Sequence, residues 1–382
     1  MPASFHSRLK AFGPAGVSAL VTAVLILALS AAPRSSVRHQ ASVGPGAQPV
    51  VIEKGDFRFA CDERGVSALA NPNDPFKATL MPGAGPRAPR APVLGLTVSC
   101  RTDRTGGWTE IASRGAEWKV SPEAGTATYA SGGPGGPVRV VETFRTDGRV
   151  FDWTIDLEST GAAPVEIGDL AISIPTVGPY GEDPAQIFER GFLRHQFVSG
   201  AGSFVYFVRA SGAPPYLLVT VRPGTKLEYW TGGGRSGGQL FVHSGKSGPA
   251  ETRGTWRQPH TSLVLEAAGN PGSRASYGFR CQWAESYDEL RSLLYDAGLF
   301  DVRVVPGMTV PEDLSARFSL HTKAKIEKIL AEFPAQTTVR YLGETVPGHR
   351  VYEATFRRLG ENLLTVVHDG GRRTCLEFFV TE

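Results

Sequence analysis

The sequence predicts an all-β fold: a large two-sheet sandwich, a linking helix and a smaller β-sandwich. Three observations carry this expectation. Between residues 50 and 283, apolar and polar residues alternate in many short stretches, the period-two pattern of half-buried strands. The 382 residues include 45 Gly and 28 Pro without a repeat period, the punctuation of a turn-rich β-protein rather than of collagen. A capped, helix-period stretch first interrupts the alternation at "SYDELRSLLYDAG", 286–298.

At the N-terminus, "MPASFHSRLKAF" carries Arg8 and Lys10, and "VSALVTAVLILALSAA", 17–32, is uncharged and mostly apolar. Ala28, Ser30, Ala31 and Ala32 close it. Basic, apolar and small residues in that order make a secretory signal. A membrane anchor is the alternative, although the apolar run falls short of the ~18–20 residues of a spanning helix. Residues 1–32 are therefore expected to be a signal peptide or anchor. The rest is expected to be exported, whether periplasmic, cell-surface or extracellular. Residues 33–49 have the composition of a disordered linker.

Residues 50–285 hold the larger sandwich. In "VFDWTIDLES", 150–159, Phe151, Trp153, Ile155 and Leu157 alternate with Asp152, Thr154, Asp156 and Glu158. "VEIGDLAISIP", "SFVYFVRA", "YLLVTVRP", "LFVHS" and "ASYGFRCQWA" follow, with Gly and Pro between them. So many strands need two packed sheets. In 286–299, Ser286 with Glu289 forms a capping box, Leu290, Leu293 and Leu294 share a face, and Gly298 stops the helix. Residues 300–382 contain six strand-like segments and one expected helix, "KAKIEKILAEF", 323–333, before Pro334. That density of short strands predicts an immunoglobulin-like sandwich. The chain stops at Glu382, directly after a strand, an unexpected end for a complete protein.

Hydrophobic residues make up 41% of the chain and the net charge is +3, with the basic residues scattered. Nothing forms a nucleic-acid footprint. Cys61, Cys100, Cys281 and Cys375 are far apart, with no C-x-x-C pair. Export permits disulfides, but the four thiols read more simply as small buried hydrophobes.

Candidate sites are sparse. In "RHQFVSGAGSFVYFVRASG", 194–212, His195 precedes a Gly-Ala-Gly break. "GAGS" lacks the βαβ surroundings of a dinucleotide site and the Lys-Ser/Thr of a phosphate loop, so its glycines are expected to turn a hairpin. His195, His243 and His260 are candidates to meet on a concave sheet face, where a metal trio is a minor alternative, since their spacing in sequence says nothing about their distance apart. Neither a metal nor a cofactor is expected. Glu182, Asp183 and Glu189 lie in an expected loop, "PYGEDPAQIFERG", and read as solvated. Asp152, Asp156 and Glu158 read as a solvent-facing stripe. Aromatic residues are dense from Tyr206 to Trp256, and sugar rings stack on such surfaces. The ligand-binding candidates are His195, Glu228, Trp230, His243, Trp256 and His260, and no catalytic residue is assigned. Convergence of His195, His243, His260 and Glu228 in one pocket would favour an enzyme, and scatter a binding or structural module.

The succession "GFLRHQFVSGAGSFVYFVRASGAPPYLLVTVRPGTKLEYW", "VRVVPGMTVPEDLSA" and "LGENLLTVVHDGGRRTCLEFFVTE" resembles the exported domain-of-unknown-function family 5695, from about residue 50 onward. The resemblance implies a six-hairpin glycosidase-like protein. In such proteins a galactose-mutarotase-like supersandwich leads, an immunoglobulin-like module follows, and a helical toroid with the catalytic carboxylates comes last. Residues 300–382 are too few for a toroid. The implied function is therefore that of an exported, non-catalytic scaffold or carbohydrate-binding portion. Its expected partners are an oligosaccharide or polysaccharide and a helical-toroid catalytic partner. A mutarotase- or lyase-type enzyme acting on the supersandwich and a structural cell-envelope module are the alternatives. A fold analogy by itself does not establish a function.

Overall fold

The structure, a computed structural model, describes residues 48–80, 94–112, 117–132, 135–174, 183–232 and 238–382. The leader at 1–32, most of 33–49, Glu182 and residues 233–237 of the Gly-rich stretch after Trp230 lie outside the described residues. The described residues form one compact unit.

Alternation becomes layering. Phe151, Trp153, Ile155 and Leu157 are buried, while the residues between them face outward, where Arg280 meets Asp152 at 3.0 Å. That strand, Phe151–Ser159, lies inside an eight-stranded sheet. In order, the sheet's strands are Phe192–Phe197, Phe204–Arg209, Tyr216–Val221, Arg274–Ala284, Phe151–Ser159, Val138–Thr146, Thr126–Gly132 and Glu117–Ser121. A six-stranded sheet runs Tyr229–Trp230, Gln239–Ser244, Val165–Ser173, Gly95–Arg101 and Thr109–Ala112, with Leu263–Leu265 also paired to Val165–Ser173. The two sheets share one core that contains Trp153, Phe144, Ile172 and Val242. A three-stranded sheet, Val50–Lys54, Phe57–Asp62 and Gly65–Ala70, adds Phe57 and Phe59 to that core.

Among the described residues there are three short helices: α1 (Pro184–Arg190), α2 (Gly248–Thr252) and α3 (Tyr287–Asp296). Helix α3 has the expected cap: Ser286 Oγ accepts from Glu289 N at 3.1 Å, and Glu289 Oε2 accepts from Glu285 N at 2.7 Å. Leu290 and Leu294 are buried in the main core, Leu293 packs at its margin, and Gly298 takes a φ of +70° just beyond the helix. Helix α1 occupies the stretch expected to be a loop. Asp183 caps it by accepting from Ala185 N at 3.0 Å. Asp183 and Glu189 are both exposed.

The second sandwich packs two four-stranded sheets. One runs Asp301–Val305, Ser315–His321, His349–Phe356, Thr337–Val346; the other runs Thr309–Pro311, Arg372–Thr381, Gly360–His368, Ile326–Ala331. Phe318, Phe356, Leu376 and Phe378 lie in its core. Residues 323–333 are not the expected helix. Ile326–Ala331 is a strand paired antiparallel with Gly360–His368, a register shift separating Ile326 from Lys328. Ile326, Ile329 and Ala331 reach the core while Glu327 and Lys328 face water. Burying those residues against a partner strand outweighs the local helix preference of Lys, Glu and Ala.

The two sandwiches meet at "GAGS". Gly200 has a φ of +68° and Ala201 N donates to Arg373 O at 2.9 Å. A Cβ on Gly202 would stand 2.5 Å from Thr374 Oγ1, so only glycine allows this approach. Ser199 Oγ accepts from Cys375 N at 2.8 Å, and Arg257 pairs with Glu332 at 3.1 Å. The glycines turn the hairpin, as the sequence suggests, and also form the seam.

A buried ion pair and a buried carboxyl fasten the larger sandwich. Arg209 and Asp74 are each 1% exposed and form an ion pair. Asp74 also accepts from Phe76 N at 3.1 Å and Ala78 N at 2.8 Å, while Arg209 Nη1 donates to Ala213 O at 3.0 Å. The guanidinium lies between the Phe76 and Phe192 rings. Glu142 is buried in the core, where its Oε2 accepts from Trp153 Nε1 at 3.1 Å.

Burial pushes the Glu142 carboxyl up to about 8, partly offset by the Trp153 donor. A raised carboxyl contributes stability that is full below its ordinary value of 4.5 and is lost as pH rises toward about 8. Histidines with lowered values, such as His243, work in the opposite direction as pH falls. Glu142→Gln is therefore expected to flatten the decline in denaturation midpoint that the native chain shows on the alkaline side of this window. Parallel declines in the two proteins would overturn the assignment.

The four cysteines are free thiols: Cys61, Cys100 and Cys281 are buried and Cys375 is half-buried. Burial raises all four, Cys61 to about 12. No helix of the described residues is long and apolar enough to cross a membrane.

Candidate functional site

A β-bulge organises the site. On Val165–Ser173, Leu170 pairs with His243 but Ala171 pairs with Phe241, which leaves Val242 as the extra residue. Phe241 packs with Ala171 and Tyr229 in a small separate cluster, whereas Val242 joins the main core. His243 then reaches across the sandwich. Its Nε2 lies 2.7 Å from Tyr277 Oη on the opposite sheet, and its Nδ1 lies 2.9 Å from Thr261 Oγ1.

Glu228 sits at the centre, 2% exposed. Its Oε1 accepts from Ser244 N at 2.8 Å, Ser244 Oγ at 2.7 Å and Thr261 N at 2.7 Å. Its Oε2 accepts from Thr261 Oγ1 at 2.6 Å and pairs with Lys226 Nζ at 3.1 Å. The backbone carbonyl of Glu228 accepts from Trp256 Nε1 at 2.7 Å. Ser244 Oγ also contacts His260 Nδ1 at 2.8 Å, and His260 Nε2 lies 3.2 Å from Thr252 Oγ1. Tyr229 stands edge-on to both Trp256 and His260 and donates to Glu251 Oε2 at 2.9 Å.

Of the sequence candidates, Glu228, His243, Trp256 and His260 thus meet in one network. Trp230 follows Tyr229 along the same strand but is 37% exposed. His195 stands elsewhere, exposed on Phe192–Phe197 and stacked on Tyr206 at 4.8 Å between ring centroids. Ser244, Thr261 and Tyr277 were not singled out from the sequence. Hydroxyl residues are too common on strands for their spacing to mark them.

Burial lowers both His243 and His260, which keeps the imidazoles neutral near pH 7, and lifts Tyr277 to about 12. Each carboxylate oxygen of Glu228 is already engaged by donors. That makes Glu228 a strut that ties Ser244 to Thr261 rather than a proton acceptor facing a ligand. Among the described residues, no group of three or more His, Cys, Asp or Glu is arranged to hold a metal ion.

Beside the network, at the seam, lies a cavity of about 480 Å³. Gly200 and Ala201, the turn Arg222–Lys226, Glu228, Arg257 and Gln258 line it from the larger sandwich. Ala297 and Leu299 contribute from the end of α3, and Leu363, Thr365, Arg372, Arg373 and Cys375 from the second sandwich. Its volume and its mixture of apolar wall and a few polar groups match a small-ligand site.

The second sandwich and α3 carry a family signature. Residues 246–382 match the model of a family of unknown function, DUF5695. The DUF5695 match thus takes in the second-sandwich side of the seam. No curated protein matches the chain. Among solved structures, a polysaccharide lyase is similar at TM-score 0.63 and 16% identity, over 87% of this chain and 47% of the lyase. The chain spans about half the length of that lyase, and the likeness is one of fold. A galactose mutarotase related enzyme from Lactobacillus acidophilus is similar at TM-score 0.36 and 10% identity, over 63% of this chain and 99% of that one. A GH36 α-galactosidase from Geobacillus stearothermophilus is similar at TM-score 0.31 and 10% identity, over 62% of this chain and 41% of that one.

Proposed function

We propose that the chain is an exported, non-catalytic carbohydrate-binding portion of a larger carbohydrate-active protein, and that the saccharide sits in the cavity at the seam. The cavity carries the proposal: about 480 Å³, with walls from both sandwiches and an apolar surface at Leu299 and Leu363 beside polar groups at Gln258 and Thr365. Among the described residues no aromatic lines it, so aliphatic wall rather than ring stacking meets the C–H faces of a sugar, and the polar groups suit its hydroxyls. The saturated bonding of Glu228 supports binding rather than turnover. Export rests on the basic, apolar and small order of residues 1–32. Catalysis would belong to a helical-toroid partner, in the same protein or another.

Isothermal titration of the protein against neutral and acidic oligosaccharides tests the reading, with Leu363→Trp and Ala297→Trp as cavity-filling variants. Native protein is expected to bind at least one glycan, and the filled variants to bind it about tenfold more weakly, the effect of losing ~1.4 kcal/mol. Binding unchanged in both folded variants would remove the sugar from this cavity.

The His243–Tyr277 contact at 2.7 Å favours a second reading, a sugar-acting enzyme with its proton transfer on the larger sandwich. Turnover that Tyr277→Phe abolishes without loss of fold would establish it, and absence of turnover in native protein would dismiss it.

A further inference from the structure

We infer that the saccharide is acidic, and that its carboxylate or sulfate group is held on the second-sandwich side of the cavity by Arg373 together with Arg257. This deepens the binding role proposed above and rests on it. Five cationic residues line the cavity: Arg222, Lys226, Arg257, Arg372 and Arg373. Glu228 is the one lining carboxylate among the described residues, and it is spent on Ser244, Thr261 and Lys226.

The partners of the cations decide which of them remain available. Lys226 is held by Glu228, and Arg372 by Asp369. Arg222 donates to Thr154 Oγ1 at 3.3 Å and lies along Gly278. Arg257 pairs through Nη2 with Glu332 at 3.1 Å, yet its buried Nε donates to nothing, Glu361 being 3.9 Å away. Arg373 has no ion pair among the described residues, while its backbone carbonyl anchors Ala201 at the seam. The wall therefore presents two guanidiniums without a counter-charge among the described residues, Arg222 from the larger sandwich and Arg373 from the second, and one N–H of Arg257 without an acceptor. An anionic group supplies both, and guanidinium geometry suits planar carboxylate and tetrahedral sulfate alike. A neutral sugar offers hydroxyl acceptors to an N–H but no charge to the exposed Arg373 guanidinium.

Titration of the full chain with oligogalacturonate, chondroitin sulfate oligosaccharide and a neutral galacto-oligosaccharide of equal length tests this inference. The acidic probes are expected to bind at least tenfold more tightly than the neutral one, and more weakly as salt rises. The ranking of the two acidic probes separates carboxylate from sulfate as the recognised group. Arg373→Glu is expected to lose at least tenfold in affinity for the acidic probe at an unchanged melting temperature, because the seam uses the Arg373 backbone. Arg373→Lys should recover part of the loss. Equal binding of neutral and acidic probes that Leu363→Trp weakens would overturn the inference and leave the binding role intact. Acidic binding insensitive to both Arg373→Glu and Arg257→Gln would also overturn it. Failure of every glycan to bind would remove both.

Discussion

Asp74→Ala is expected to destabilise the protein by about 3–5 kcal/mol, the usual cost of removing one member of a buried ion pair. The change strands the Arg209 guanidinium between two phenylalanine rings, and it takes the acceptor away from Phe76 N and Ala78 N. Chemical denaturation measures it, and the m-value should stay constant because the surface exposed on unfolding is the same. Asp74→Ala combined with Arg209→Met should recover part of the loss, since an uncharged pair of similar bulk avoids the stranded charge. A loss below ~1 kcal/mol for the single variant would show that water reaches the pair.

Glu228→Ala carries the second large effect. Ser244 N and Thr261 N would lose their common acceptor. A buried donor left unsatisfied costs about 1–3 kcal/mol, so a loss of about 2–5 kcal/mol is expected, together with loss of glycan binding at the adjacent cavity. The Lys226 pair adds little, because the lysine side chain is 38% exposed and screened. Glu228→Gln keeps an acceptor at one oxygen and should cost less. Full stability with unchanged binding in the alanine variant would separate the network from the site.

The architecture was legible in the sequence wherever a local period reports it. The alternation at 150–159 gives the inside and outside of a central strand residue by residue, and Ser286, Glu289 and Gly298 mark both ends of α3. The misreading of 323–333 has the opposite cause. Lys, Glu, Ala and Leu satisfy a helix locally, and only the Gly360–His368 strand, distant in sequence, makes Ile326–Ala331 an edge strand. Glu228, His243, Trp256 and His260 were recognisable as chemistry-bearing residues, but their association was not. Glu228 meets Thr261 across 33 positions and His243 meets Tyr277 across 34. The bulge at Leu170/Ala171 shifts register by one residue, which no strict period anticipates. The cavity depends on Gly200–Gly202 touching Arg373 and Thr374, a pairing that neither segment advertises by itself.

The seam's divided ownership of the cavity has a mechanical consequence. A molecule gripping walls from both sandwiches acts as a removable fastener, and its concentration sets how stiffly the two halves are joined. At a hundred times its Kd, a ligand that binds only the assembled seam adds about 2.7 kcal/mol against its opening. The Ala201–Arg373 and Ser199–Cys375 hydrogen bonds already join the halves, so a ligand at the proposed site reinforces an existing seam and makes its opening rarer as the ligand's concentration rises.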